Sequence, residues 1–124
     1  MKFDFESLER KFSSRKLLKG DVLFREGDTN GDGFIILYGQ IEIFRDVNDI
    51  AVRAAVLGEG EVLGVWKALF NNPSRFFTAK ALTNSSVVVI PESHLTQMFQ
   101  KADPFFLHCM KKWLEVTRDY MKIS

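Results

Sequence analysis

Apolar residues change their spacing twice along this chain. Over residues 3–12, Phe5, Leu8 and Phe12 recur at helical intervals, which predicts a short amphipathic helix. From Leu17 to Pro91 the pattern becomes short apolar runs: VLF (22–24), FIILY (34–38), IEIF (41–44), VRAAVL (52–57), FTAKAL (77–82) and VVVI (87–90). Glycines at 20, 27, 31, 33, 39, 58, 60 and 64 punctuate them. Closely spaced short strands separated by turns predict a barrel or sandwich rather than a parallel α/β sheet. QIEIFR alternates, with Ile41, Ile43 and Arg45 on one face and Glu42 and Phe44 on the other. A strand in an antiparallel sheet with one buried side has this pattern.

After Pro91 helical spacing returns. ESHLTQMFQK (92–101) places Leu95, Met98 and Phe99 on one face. Asp103-Pro104 then marks a second start, because Asp caps a helix and Pro suits its first turn. The predicted helix runs over 104–122. Leu107, Met110, Leu114, Thr117 and Met121 step along it at heptad intervals. Phe106, Trp113 and Tyr120 form a parallel aromatic row. Two adjacent rows can serve two surfaces. The heptad seam is thus a candidate homodimer contact, with internal packing of the whole face as the alternative.

Composition narrows the class. With 124 residues the chain has length for one domain (1–124: helix 3–12, β-region 15–91, helices 92–101 and 104–122). Seventeen basic and sixteen acidic side chains nearly cancel, so charge gives no general pull toward nucleic acid or anionic membrane. The single cysteine, Cys109, excludes an internal disulfide and suits a reducing, cytoplasmic compartment. MKFDFESLERKF lacks the apolar core of a signal peptide, and no apolar run reaches the roughly 20 residues that span a bilayer.

DTNGDGFI (28–35) has the alternating oxygen donors of a calcium loop in Asp28, Asn30 and Asp32, followed by Gly33. The twelfth residue from Asp28 is Gly39, so the bidentate Glu of an EF-hand is missing, and both flanks are β-like. The stretch therefore reads as a turn, a hairpin connection whose acidic residues face solvent and whose Gly33 lets the chain re-enter the sheet at Phe34.

GDVLFREGD (20–28), FIILYGQIEIF (34–44), GEVLG (60–64) and the following Arg75 together resemble the cyclic nucleotide-binding domain family over about residues 15–123. The resemblance implies a mainly β fold with flanking helices: an eight-stranded antiparallel β-roll of jelly-roll type, an N-terminal helix and two C-terminal helices. It also implies a phosphate-binding cassette at residues 63–81. There a short helix offers backbone N–H groups to a cyclic phosphate. An Arg completes the clamp, and a Glu after the cassette glycine accepts from the ribose 2′-hydroxyl. On that pattern the candidate site is Leu63, Gly64, Val65, Trp66, Lys67, Arg75, Phe76, Phe77 and Thr78, with Arg75 as the phosphate arginine and cyclic AMP or cyclic GMP as the candidate ligand.

The departures fall inside the cassette. Val65 stands where the family has Glu, Trp66 and Lys67 replace small residues, and Phe76-Phe77 follow Arg75 where small residues are the rule. Strand alternation turns one of the two phenylalanines inward, into ligand space. Weak or absent binding of cyclic AMP and cyclic GMP is the resulting expectation. Catalytic chemistry is not expected: His94 and His108 lie on separate predicted helices, and one cysteine offers no zinc spacing. Neighbouring His108 and Cys109 point apart on a helix. With the long helix ending near Ser124, a following DNA-binding domain is not expected either. Two functions remain: a stand-alone sensory domain whose cassette repositions the last helix, and a degenerate copy of the fold acting as a dimerisation or protein-interaction module.

Overall fold

Eight short strands and four helices follow the two changes of apolar spacing. The computed structural model describes residues 4–123; the side chains of Phe5 and of residues 117–123 lie outside the described set. In chain order the elements are α1 (Phe5–Lys11), β1 (Ser14–Leu17), β2 (Val22–Phe24), β3 (Gly33–Tyr38), β4 (Ile41–Val47) and β5 (Ile50–Leu57). They continue with β6 (Val62–Leu63), α2 (Trp66–Leu69), β7 (Thr78–Ala81), β8 (Ser85–Ile90), α3 (Glu92–Lys101) and α4 (Pro104–Ile123). The strands form two four-stranded antiparallel sheets, ordered β1-β8-β3-β6 and β2-β7-β4-β5.

The alternation in β4 does what its sequence predicts. Ile41 and Ile43 are buried, while Glu42 and Phe44 are only half-buried on the opposite face. The turn into β5 needs two residues with positive φ, and Asn48 (53°) and Asp49 (64°) supply them, as in a type I′ hairpin. Strand β3 is covered on both sides. Ile36 enters the core between the sheets with Ile41, Ala79 and Val87, whereas Ile35 turns the other way. There it joins Ile90 and Leu95 in a second cluster, against which Leu8, Phe12, Val65 and Phe99 pack. This second cluster ties α1, α2 and α3 to the β-roll.

Strands β1 and β6 are the edges of one sheet, and no apolar run announces either. In SRKL only Leu17 is buried, and polar residues are how natural edge strands avoid pairing with other chains. Residues 25–32 do not form the expected hairpin. β2 and β3 belong to different sheets, so this loop crosses between them. Its acidic residues also part company: Asp28 is exposed, but Asp32 is half-buried and accepts the Glu92 N–H at 2.9 Å, at the start of α3.

Helix starts follow their capping residues. Asp4 accepts from the Ser7 N–H, so α1 begins at Phe5; residue 3, where the sequence reading began it, lies outside the described residues. Asp103 Oδ1 accepts from the N–H groups of Phe105 and Phe106 at 2.9 and 3.1 Å, with Pro104 in the first turn. On α3 Leu95 is buried and Phe99 half-buried, while Met98 turns outward. On α4 Leu107, Met110 and Leu114 are half-buried. Phe105, Phe106, Trp113 and Val116 are exposed. Thr117, Met121 and Tyr120 lie outside the described side chains.

Candidate ligand-binding cassette

The cassette leaves the first sheet at β6, turns at Gly64, makes the single turn of α2 and enters the second sheet at β7. Gly64 has φ +83°, and a Cβ there would lie 2.9 Å from both Arg75 Nη1 and the Asp32 carbonyl oxygen. Only glycine meets both demands. Gly33 serves space rather than φ: a Cβ would come within 3.0 Å of Leu95 and of Val65. Its absence lets α3 and the cassette close onto β3.

Arg75 is the centre of the site, and 5% of it is exposed. Its Nη1 donates to the Gly64 carbonyl and its Nη2 to the Asp32 carbonyl, each at 2.7 Å. The guanidinium lies over the Phe24 ring, 4.2 Å from its centroid, and 5.8 Å from that of Phe34. Backbone bonds fix the rest: the Arg75 N–H donates to the Asp28 carbonyl, and the Gly27 N–H donates to the Arg75 carbonyl, both at 2.9 Å. The calcium-like stretch thus builds one wall around this arginine. Among the described residues Arg75 forms no ion pair, and its buried Nε–H meets no acceptor. Burial lowers its pKa from the ordinary arginine value, and the more distant charges of Asp32, Glu92 and Asp28 oppose that shift.

The other cassette residues are mostly engaged within the protein. Lys67 reaches Glu92 at 3.0 Å with a side chain only 10% exposed, so it is neither solvated nor free for a ligand. Thr78 accepts the Glu26 N–H at 3.0 Å through its hydroxyl. Val65 offers carbon atoms where the family resemblance places a Glu, and packs with the helix-facing cluster. Of the two phenylalanines, Phe77 is buried in the core and Phe76 half-buried. Trp66 meets Phe77 edge-on at 5.8 Å, and Phe76 meets it at 6.5 Å. Arg45 approaches the Phe77 ring at 5.8 Å.

Most of these side chains border a partly open cavity of ≈ 220 Å³. Leu63, Gly64, Val65, Trp66, Lys67, Arg75, Phe76 and Phe77 line it; Thr78 does not. Sequence reasoning missed the remaining wall: Phe24, Ile43, Leu57, Val62, Ser74 and Leu114. Leu114 matters most, because it brings α4 to the cassette. Its membership of an apolar helical row was visible, but not which surface the row would meet. Among the described residues no cluster of His, Cys, Asp and Glu could hold a metal ion, and no helix is long and apolar enough to cross a membrane.

A β-roll with a glycine, a one-turn helix and a buried arginine spanning its two sheets defines a class of ligand-binding regulatory domain. The chain belongs to the cyclic nucleotide-binding domain family, whose model matches residues 14–102. Among solved structures it is similar to the EAL enzyme Bd1971 in its cGMP-bound form, at 26% identity and a TM-score of 0.76. That match covers 89% of this chain and 30% of the enzyme. A cyclic nucleotide-binding-like protein from Brucella abortus is 27% identical with a TM-score of 0.63, over 77% of this chain and 82% of its own. The Thermus thermophilus catabolite activator protein shares the fold at 18% identity and a TM-score of 0.71, over 95% of this chain and 54% of its own. No curated protein matches the sequence.

Proposed function

We propose that this chain is a regulatory, non-catalytic domain of the cyclic nucleotide-binding fold, cytoplasmic in setting, in which cyclic AMP and cyclic GMP bind weakly or not at all in the usual mode. One observation carries the reading: each terminal nitrogen of the arginine in the phosphate position already donates one hydrogen bond inside the protein, to the Gly64 and Asp32 carbonyls, which leaves one N–H on each for an anion. Two others point the same way. Val65 leaves a ribose hydroxyl without an acceptor, which costs about 1–3 kcal/mol, or one to two decades of affinity. The aromatic cluster of Trp66, Phe76 and Phe77 leaves a cavity of ≈ 220 Å³, below the roughly 300–1,000 Å³ usual for small-molecule sites.

Leu114 lines that cavity from α4, so a change of its occupancy acts directly on the last helix. A ligand shifts α4 only by favouring one helix position over another. A thermal melt with saturating cyclic AMP tests the proposal: little or no rise in midpoint is expected, and a clear rise that Arg75→Ala abolishes overturns it.

The second reading, a degenerate copy acting as a dimerisation or interaction module, draws on α4. Its exposed Phe105, Phe106, Trp113 and Val116 lie beside the half-buried Leu107, Met110 and Leu114. Large apolar side chains clustered on one surface are a mark of interaction sites. A light-scattering mass at high concentration decides this reading: a dimer supports it, and a monomer counts against it.

A further inference from the structure

The two sheets end in β1, β6, β2 and β5, and the first three of these edges are poor templates for further pairing. In β1 only Leu17 is buried, and the exposed residues include the cations Arg15 and Lys16. β6 has only two residues. β2 has three, with an irregular register, and Arg15 reaches its Val22 and Leu23 carbonyls at 3.4 and 3.5 Å. β5 is built otherwise. It runs eight residues as IAVRAAVL, with no proline, no lysine and Arg53 as its single charge. It pairs with β4 alone, and among the described residues no backbone–backbone bond reaches the outer side of 50–57. Ile50 is 65% exposed, and Val47, opposite it on β4, is 40% exposed. A long apolar edge of this kind is a template for pairing with another chain.

Charge and pleat select a register for pairing β5 with a second copy of itself. Across a twofold axis, antiparallel strands match residues whose backbone groups point the same way, so the axis passes beside one residue and its twin. An axis at Arg53 would set two guanidinium groups directly opposite, which is unfavourable. An axis at Ala51 runs the ladder into the Asn48-Asp49 turn, and one at Ala54 falls on the extra residue of the β5 bulge. An axis at Val52 meets none of these obstacles. It pairs Ile50 with the partner's Ala54, Ala51 with the partner's Arg53, and Val52 with the partner's Val52.

One face of that ladder, formed by Ile50, Val52 and Ala54, is wholly apolar. On the other face the partner's Arg53 lies over Ala51, whose neighbour on β4 is Asp46. Two strand spacings, about 10 Å, separate the backbones of that arginine and aspartate, a gap that their side chains span together. Asp46 is exposed and forms no ion pair among the described residues. Arg53 meets Glu42 of its own chain at 3.0 Å, in a solvent-accessible pair of the kind that contributes little, so it is free to turn to the new acceptor.

We propose that β5 is a self-association edge: two copies pair antiparallel over Ile50–Ala54, held by reciprocal Arg53–Asp46 ion pairs, and their four-stranded sheets join into one. The ladder uses no residue of α4 and none that lines the cavity, so it stands apart from both readings above. A ladder this short belongs to the small, transient class of interfaces, and the dimer therefore forms in a concentration-dependent way.

Light scattering on the intact chain, up to millimolar concentration, tests the proposal, and concentration-dependent dimerisation is expected. Asp46→Lys sets the introduced lysine against the partner's Arg53, and Arg53→Glu sets the introduced glutamate against the partner's Asp46. Each should weaken dimerisation by at least about tenfold, because two symmetric attractions become repulsions. An equimolar mixture of the two variants restores both attractions, and should form a heterodimer tighter than either variant forms with itself. Both positions are exposed, so circular dichroism spectra should match that of the unaltered chain. A chain that stays monomeric at millimolar concentration overturns the proposal, as does a mixture that associates no more tightly than its components. Dimerisation that Phe105→Glu abolishes, on the exposed side of α4, and that both charge variants keep also overturns it, and supports the α4 contact instead.

Discussion

Replacing Arg75 by Met separates an arginine that builds the fold from one held in reserve for a ligand. Methionine keeps an unbranched apolar stem near Phe24 but removes every donor. The Gly64 and Asp32 carbonyls then lose their 2.7 Å partners. Hydrogen bonds from a charged group contribute about 1.5–3 kcal/mol each, so two set a gross loss of about 3–6 kcal/mol. Burying the cation costs several kcal/mol, and its removal offsets part of that loss. A net destabilisation of about 2–4 kcal/mol is expected, within the roughly 5–15 kcal/mol of a typical domain, so the variant still folds. Urea unfolding followed by far-ultraviolet circular dichroism reads the change as a lower midpoint at constant slope. An unchanged or raised midpoint would refute the clamp, because an arginine without structural partners is a pure desolvation cost to the free protein.

Two further outcomes follow from the same geometry. Gly64→Ala combines a positive φ with a Cβ only 2.9 Å from Arg75 Nη1 and the Asp32 oxygen. A loss of about 2–4 kcal/mol is expected, which at roughly 4 °C per kcal/mol lowers the melting midpoint by about 8–16 °C; a shift of a degree or two counts against it. Calcium should leave the melting midpoint unchanged. Oxygen atoms of all three would-be ligands already accept backbone N–H groups: Asp28 from Arg25, Asn30 from Asp32, and Asp32 from Glu92. A calcium-dependent rise would reopen the loop's first reading.

The parts of the fold written in local pattern were legible. Alternation in QIEIFR placed Ile41 and Ile43 inside, and Asp103-Pro104 marked the start of α4. The family pattern brought Gly64 and Arg75 together, and in the structure the Arg75 Nη1 donates to the Gly64 carbonyl. What stayed hidden depends on partners distant in sequence. Arg75 bonds carbonyls eleven and forty-three residues away, and a carbonyl carries no side-chain signature. Strands β1 and β6 are polar or very short because they are edges, which removes the apolar signal used to find strands. The 25–32 loop has turn chemistry whether it joins paired strands or crosses between sheets, so topology could not be read from it. Met98 shares a helical face with Leu95 and Phe99 in the sequence, yet only those two meet the second cluster. An apolar face wider than its contact leaves its margin exposed.

The most direct test of the central claim is a calorimetric titration of the intact chain with cyclic AMP and cyclic GMP. Heats indistinguishable from dilution, or saturation only in the millimolar range, are expected from Val65, the partly engaged Nη atoms of Arg75 and the reduced cavity. Micromolar binding of either nucleotide would contradict it.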